Sequence, residues 1–298
     1  MAYKTPDQIA TTAVNTGVAK ANLSPGRMLG GSVLAGAYIA FAGLLGIVVT
    51  AGMPVATWGN MPTLIFGAVF SLGLILVVIA GSELVTGNMA LLPLALTSRR
   101  TNGGRVVLSL VLVTIGNLVG SLVVAYFFAV KSGVIGSSGS AAGTAGALTF
   151  AKLATVAKGK AVTETGLQIF LRAIGCNWLV CLAVWMAFAA EDIAGKILAI
   201  FFPIMGFVAM GFDHVVANMF FLPAAMFAKV PGIGFGDVVN NLALAWVGNL
   251  IGGALFVAGF YWFLYLRGRP RTETLDGVEA TPNTNVRSKE GEHAAGPR

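Results

Sequence analysis

Apolar residues in this chain are gathered into long blocks, and polar residues fall mostly between them. The blocks are near the ~20 residues that a helix needs to cross a bilayer. They predict six spans. The first covers about 28–51, and the second begins near Pro62 and runs to about Ala80. A polar, glycine-containing interruption follows at Gly81–Asn88, after which helix resumes to Thr97. The third span covers about 105–130 and the fourth about 167–190. The fifth starts near Lys196, is interrupted at Gly211–Asn218 and resumes to Phe227; the sixth covers about 238–266.

The two interruptions are related. Glu83-Leu84-Val85-Thr86-Gly87-Asn88-Met89-Ala90-Leu91-Leu92-Pro93 lies 130 positions before Asp213-His214-Val215-Val216-Ala217-Asn218-Met219-Phe220-Phe221-Leu222-Pro223. Val, Asn, Met, Leu and Pro recur in register, each copy opens with an acid, and each has a small residue before Asn. A second pair, Gly116-Asn117-Leu118-Val119-Gly120 and Gly248-Asn249-Leu250-Ile251-Gly252, repeats at an offset of 132. With three spans per half, the second half enters the membrane from the opposite face. The pattern predicts an all-α membrane protein of six transmembrane helices in two inverted three-helix repeats, with helices 2 and 5 broken. Residues 1–26 read as a polar N-terminal segment in which a short amphipathic helix and a loose tail are both open. Residues 27–267 read as the transmembrane domain, and 268–298 as a disordered tail by composition.

Composition agrees. Of 298 residues, 56% are hydrophobic and only 10% charged, where a soluble domain carries about a quarter charged residues. The 39 glycines suit close helix packing in lipid. The net charge of +7 is scattered over loops and tail, so no nucleic-acid partner is expected. Thirteen basic residues fall on the side of both termini and six on the other, which places both termini in the cytoplasm by the positive-inside rule. No cleavable signal peptide is read in the first 26 residues. Cys176 and Cys181 read as small core residues.

Unwound backbone at membrane depth is tolerated only against protein or a water-filled cavity. Spans two and five should therefore line a path. Each break exposes backbone N–H groups and the positive end of a half-helix, and two such ends converging favour an anion. Asn88 and Asn218 are placed to cap the half-helices. Glu83 and Asp213, the acids inside the spans, are expected to accept hydrogen bonds from loop N–H groups. His214 titrates near neutrality in its unperturbed state and sits at a break, which makes it a pathway residue. Thr86 offers a hydroxyl to an anion. Phe70, Leu74 and Phe207 precede the breaks by a turn or two and are candidate constrictions. One histidine and two acids make a poor metal site, and no metal or cofactor is expected. Neither loop has the paired Asn-Pro-Ala of a water pore, and no nucleophile–base pair suggests an enzyme.

At these residues the sequence resembles the formate/nitrite transporter family. The resemblance is carried by Gly81–Asn88, by Cys176-Asn177-Trp178-Leu179-Val180-Cys181-Leu182-Ala183-Val184-Trp185, by Gly211–Met219 and by Gly248–Gly253, and it covers about 3–267. It implies an aquaporin-like protomer in a homopentamer, in a cell membrane, passing formate or nitrite, with hydrosulfide or another short weak-acid anion as the alternative. The pore histidine would fall on His214, the loop threonine on Thr86, the pore asparagine on Asn249, and the constrictions on Phe70, Leu74, Leu84 and Phe207. The entrance lysine would fall on Lys160, with Lys158 open, because the spacing from Lys160 to Asn177 is one residue longer than the usual pattern. Asp213 stands where Glu is commoner. The implied mechanism brings the anion to a basic mouth and protonates it, directly or through His214, so that a neutral acid passes the apolar constriction.

Overall fold

A computed structural model describes residues 3–268, and the expected tail lies outside them from residue 269 onward. Helix α1 (Pro6–Ala21) opens on a capping box between Thr5 and Gln8. This decides the open reading of the N-terminal segment, because two orphan donors are met reciprocally at its start. Then follow α2 (Pro25–Thr50), the short α3 (Val55–Trp58), α4 (Met61–Ile79), α5 (Val85–Thr97) and α6 (Gly103–Val123). The second half holds α7 (Ala145–Lys158), α8 (Gly166–Ala189), α9 (Ile193–Ala209), α10 (Val215–Phe227), α11 (Phe235–Gly253) and α12 (Phe260–Tyr265). Helix α7 occupies the Gly/Ser/Ala-rich stretch between the halves.

Among the described residues, five helical rods are long and apolar enough to cross a membrane. The remaining path is made by α9 and α10, each shorter and joined at a break. The same break separates α4 from α5. Both breaks are made identically. Gly81 and Gly211 take positive φ of 78° and 73°, and the amides of Ser82 and Phe212 reach back to the carbonyls of Val77 and Phe207. That closure needs a left-handed residue just past the helix end, which glycine adopts at no steric cost.

The second repeated motif has a packing cause. In lipid there is little gain from burying one apolar side chain against another, so helices associate by close backbone approach and by hydrogen bonds. Gly116 and Gly120 of α6 lie against Ser32 and Val33 of α2, and a Cβ on Gly120 would stand 1.9 Å from the Val33 carbonyl oxygen. Gly248 and Gly252 of α11 lie against Ala173 and Ile174 of α8, with 2.3 Å from an added Cβ on Gly252 to the Ile174 oxygen. The halves meet where α4 crosses α9, and Ser71 donates to the Phe201 carbonyl there. Two π-helical stretches, Val124–Lys131 and Ala254–Gly259, begin 130 positions apart and add a further correspondence. The half-helices α5 and α10 are the most enclosed elements, with every residue from Val215 to Ala225 buried.

Candidate functional site

The site is assembled where the two breaks meet. An asparagine from the neighbouring rod clasps each. Asn117 Oδ1 accepts from the Val85 amide at 2.9 Å, while its Nδ2 donates to the carbonyls of Ser32 and Glu83 at 2.7 and 2.9 Å. Asn249 does the same in the other half, accepting from Val215 at 2.9 Å and donating to Ala173 and Asp213 at 2.8 and 2.9 Å. Both asparagines are fully buried. Their amides satisfy backbone groups that unwinding would leave unpaired, each worth about 1–3 kcal/mol. Asn249 thus sits beside the path with both ends of its amide engaged by backbone.

The acids use different partners from those expected. Glu83 Oε1 pairs with Lys20 Nζ at 2.8 Å, and its Oε2 accepts from Asn88 at 3.0 Å. Asp213 Oδ1 accepts from Lys160 Nζ at 2.9 Å and from Asn218 at 2.8 Å. Side chains, not loop amides, therefore hold both carboxylates. The capping role expected for Asn88 and Asn218 is corrected as well. The half-helices start at Val85 and Val215, so both asparagines lie past the cap, in the first turn, and reach back to the acids.

His214 is itself the cap of α10. Its Nδ1 accepts from the Ala217 amide at 3.2 Å, and its Nε2 lies 2.9 Å from Thr86 Oγ1. With Nδ1 receiving a backbone N–H, the hydrogen-bond network assigns the ring proton to Nε2, which then donates to Thr86. One residue from each broken loop thus meets one from the other, and both are buried.

A cavity opens on each side of this contact. The first, about 230 Å³, is lined by Lys152, Lys160, Glu164, Arg172, His214 and Asn218 and floored by Phe70 and Phe207. The second, about 310 Å³, is lined by Lys20, Glu83, Leu84, Leu74, Ser82 and Asn88. Phe70 and Phe207 meet edge to face with centroids 6.2 Å apart, and Phe207 also stacks on the His214 ring at 5.9 Å. Phe70, Leu74, Leu84 and Phe207 are all at most 3% exposed. The apolar residues and the Thr86–His214 pair therefore lie between two cation-bearing chambers.

Lys160 is the lysine that reaches the site, while Lys158 ends α7 exposed. The longer spacing to Asn177 has a structural counterpart. Residues Gly159–Thr163 form a π-helical turn, closed by the Glu164 amide on the Gly159 carbonyl at 3.0 Å. A π turn is the usual way a helix absorbs an added residue.

Two cavity residues were not found by sequence reasoning, Lys20 and Glu164. Lys20 lies 63 positions from Glu83 on a helix whose existence was open. Glu164 lies in a lysine-bearing stretch without a motif, and the irregular spacing beside Lys160 was its one signal. Its carboxyl is pushed up to about 7, first by burial and then by contact with Asp213, against the pull of Lys160 and Arg172.

Comparison with known proteins gives a consistent picture. Residues 7–263 match the family described as formate/nitrite transporter. The chain is 46% identical over 265 residues to the uncharacterized transporter YrhG of Bacillus subtilis, covering 89% of this chain and 95% of that one. It is 45% identical over 274 residues to a probable formate transporter of Methanothermobacter thermautotrophicus, covering 89% and 98%. A solved pentameric formate channel with formate bound superposes with a TM-score of 0.69 at 30% identity, over 82% of this chain and 98% of that one.

Proposed function

Because this chain belongs to the formate/nitrite transporter family, we propose that it passes small monovalent anions, formate foremost, together with protons, across the cell membrane. The observation that carries this reading is the contact of Thr86 with His214 between two cavities that each hold a lysine. Lysine draws the anion into a chamber by charge. The positive ends of α5 and α10 hold it near the contact. Phe70, Phe207, Leu74 and Leu84 then oppose a bare charge, because removing an ion from water costs several kcal/mol or more. Joining the anion to a proton cancels that cost, and the neutral acid crosses. His214 acts in this scheme as a neutral donor through Nε2, since its Nδ1 is already occupied by the Ala217 amide. The proton comes with the anion from water.

Both termini are placed in the cytoplasm, so the Lys20 cavity opens inward and the Lys160 cavity outward. The protomer assembles as a homopentamer in the bilayer. The solved pentameric relative supports the assembly, and the basic residues of the loops support the orientation.

The test is uptake of formate and of nitrite into proteoliposomes at pH 7 and about pH 5, for the wild type and H214N. Faster formate uptake at acid pH, kept in H214N because Asn retains an N–H donor, is the expected result. Loss of the acid response in H214N would route the proton through the ring. Wild-type uptake of both anions no faster than in empty vesicles would sink the transport reading.

A further inference from the structure

We propose that Glu164 and Asp213 hold one proton between them in the wall of the Lys160 cavity, and that loading this proton from the adjoining water supplies the positive charge that draws the anion in. This rests on the transport reading above and adds to it a residue outside the repeated motifs.

Glu164 lines the cavity beside Lys160, and Lys160 is ion-paired with Asp213 at 2.9 Å, so the two carboxyl groups share one cation and act on each other. Glu164 Oε1 is taken by Arg172, and Asp213 Oδ1 by Lys160 and Asn218. The remaining oxygens, Glu164 Oε2 and Asp213 Oδ2, are buried and have no donor. Two neighbouring carboxylates are costly to keep ionised together, because their charges repel and each keeps a buried oxygen without a hydrogen bond. A single shared proton resolves both faults. An ion pair with Arg172 alone would satisfy Oε1 and leave the other oxygen unexplained.

The charges that face the pair are few. Lys160 comes from the turn after α7, Arg172 from α8, and His214 from the start of α10. Lys152 of α7 lines the same cavity. The thiol of Cys176, on α8, lies behind Asp213, and α11 contributes the uncharged Asn241, which bonds Asn218. Lys160 and Arg172 balance Glu164 and Asp213 when both acids are ionised. When a proton from water binds between the acids, the same four groups carry one net positive charge. The step is proton uptake alone, with no bond to carbon or nitrogen made or broken. The stretch before α2, Asn22-Leu23-Ser24, holds no acid to match Glu164 before α8, so the device belongs to one mouth of the path.

The experiment uses the full chain, purified in detergent and reconstituted. Infrared difference spectra between pH 5 and 8 should show a protonated-carboxyl C=O band that grows as pH falls through about 7 and is absent in E164Q. In proteoliposomes, the wild-type KM for formate should rise about tenfold from pH 6 to 8 while E164Q holds it within about twofold, with kcat changing in parallel for both. A spectrum of the wild type with no such band overturns the proposal without reference to any variant. So does a band that survives in E164Q, or an unchanged KM profile. A band removed by E164Q in a protein that moves neither formate nor nitrite supports the shared proton and overturns the transport reading and the recruitment that depends on it.

Discussion

Thr86 Oγ1 and His214 Nε2 stand 2.9 Å apart across 128 positions of sequence, and they are contributed by the opposite halves of the repeat. Removing the acceptor with T86V leaves the buried Nε2–H without a partner, a cost of about 1–3 kcal/mol. Thermal unfolding of T86V should shift down by a few degrees, and formate uptake should fall at least about tenfold. T86S restores the hydroxyl and should recover most of the flux.

Asn117 and Asn249 make matching clasps, so their substitutions should behave alike. N117A and N249A each orphan an opening amide and two carbonyls, and each should destabilise the protein by about 3 kcal/mol or more. The measurement is thermal unfolding in detergent. A variant N249A that unfolds like the wild type and yet carries formate poorly would make Asn249 a pathway residue and not a clasp.

Gly120 and Gly252 set the distance between rods. An alanine at Gly252 places its Cβ 2.3 Å from a backbone oxygen, which the helices relieve only by separating. Overpacking of this kind costs roughly 1–3 kcal/mol. G120A and G252A should both lower the yield of monodisperse protein in size-exclusion chromatography, whereas G30A, where nothing lies within 4 Å of the added carbon, should not.

Lys20 and Lys160 serve different cavities, so their loss should be felt from different sides. K160M should raise the KM for formate offered at the Lys160 mouth by about tenfold and leave the opposite direction near its wild-type value, with K20M showing the reverse. Oriented vesicles assayed for uptake and for efflux make the check.

Glu164 gives stability a pH dependence. Its carboxyl rises from an ordinary 4.5 to about 7 in the folded protein, so the folded state binds the proton more tightly than the unfolded chain. That contribution is complete below about 4.5 and is lost as pH rises through about 7. The unfolding temperature should therefore fall between pH 5 and 8, and E164Q should flatten that slope.

The breaks were legible because their causes are local. Gly81 and Gly211 need a left-handed conformation, and the acid, small residue and asparagine after them repeat in register. The paired Gly-Asn-x-x-Gly motifs were equally visible, although the sequence alone could not show that their glycines bring rods together while the asparagines clasp the breaks. The asparagines at 88 and 218 misled because Asn beside a small residue is also how a helix cap reads. Which turn they occupy depends on where the preceding closure ends, at Ser82 and Phe212. Lys20, and Glu164 apart from the irregular spacing beside Lys160, left no motif for another reason. Each matters through a carboxylate far away in sequence, and no periodicity records such a pairing.

The equivalence of the Lys20–Glu83–Asn88 and Lys160–Asp213–Asn218 groups bears on direction. A conduit with the same lysine–acid–asparagine group at both mouths can be entered from either side. Under the proposed function, net flow follows the gradients of formate and acid, so one protein serves disposal when the cell produces the anion and scavenging when the surroundings supply it. The bias that remains is set by Glu164, which makes one doorway responsive to the acidity of the water outside it and leaves the other indifferent.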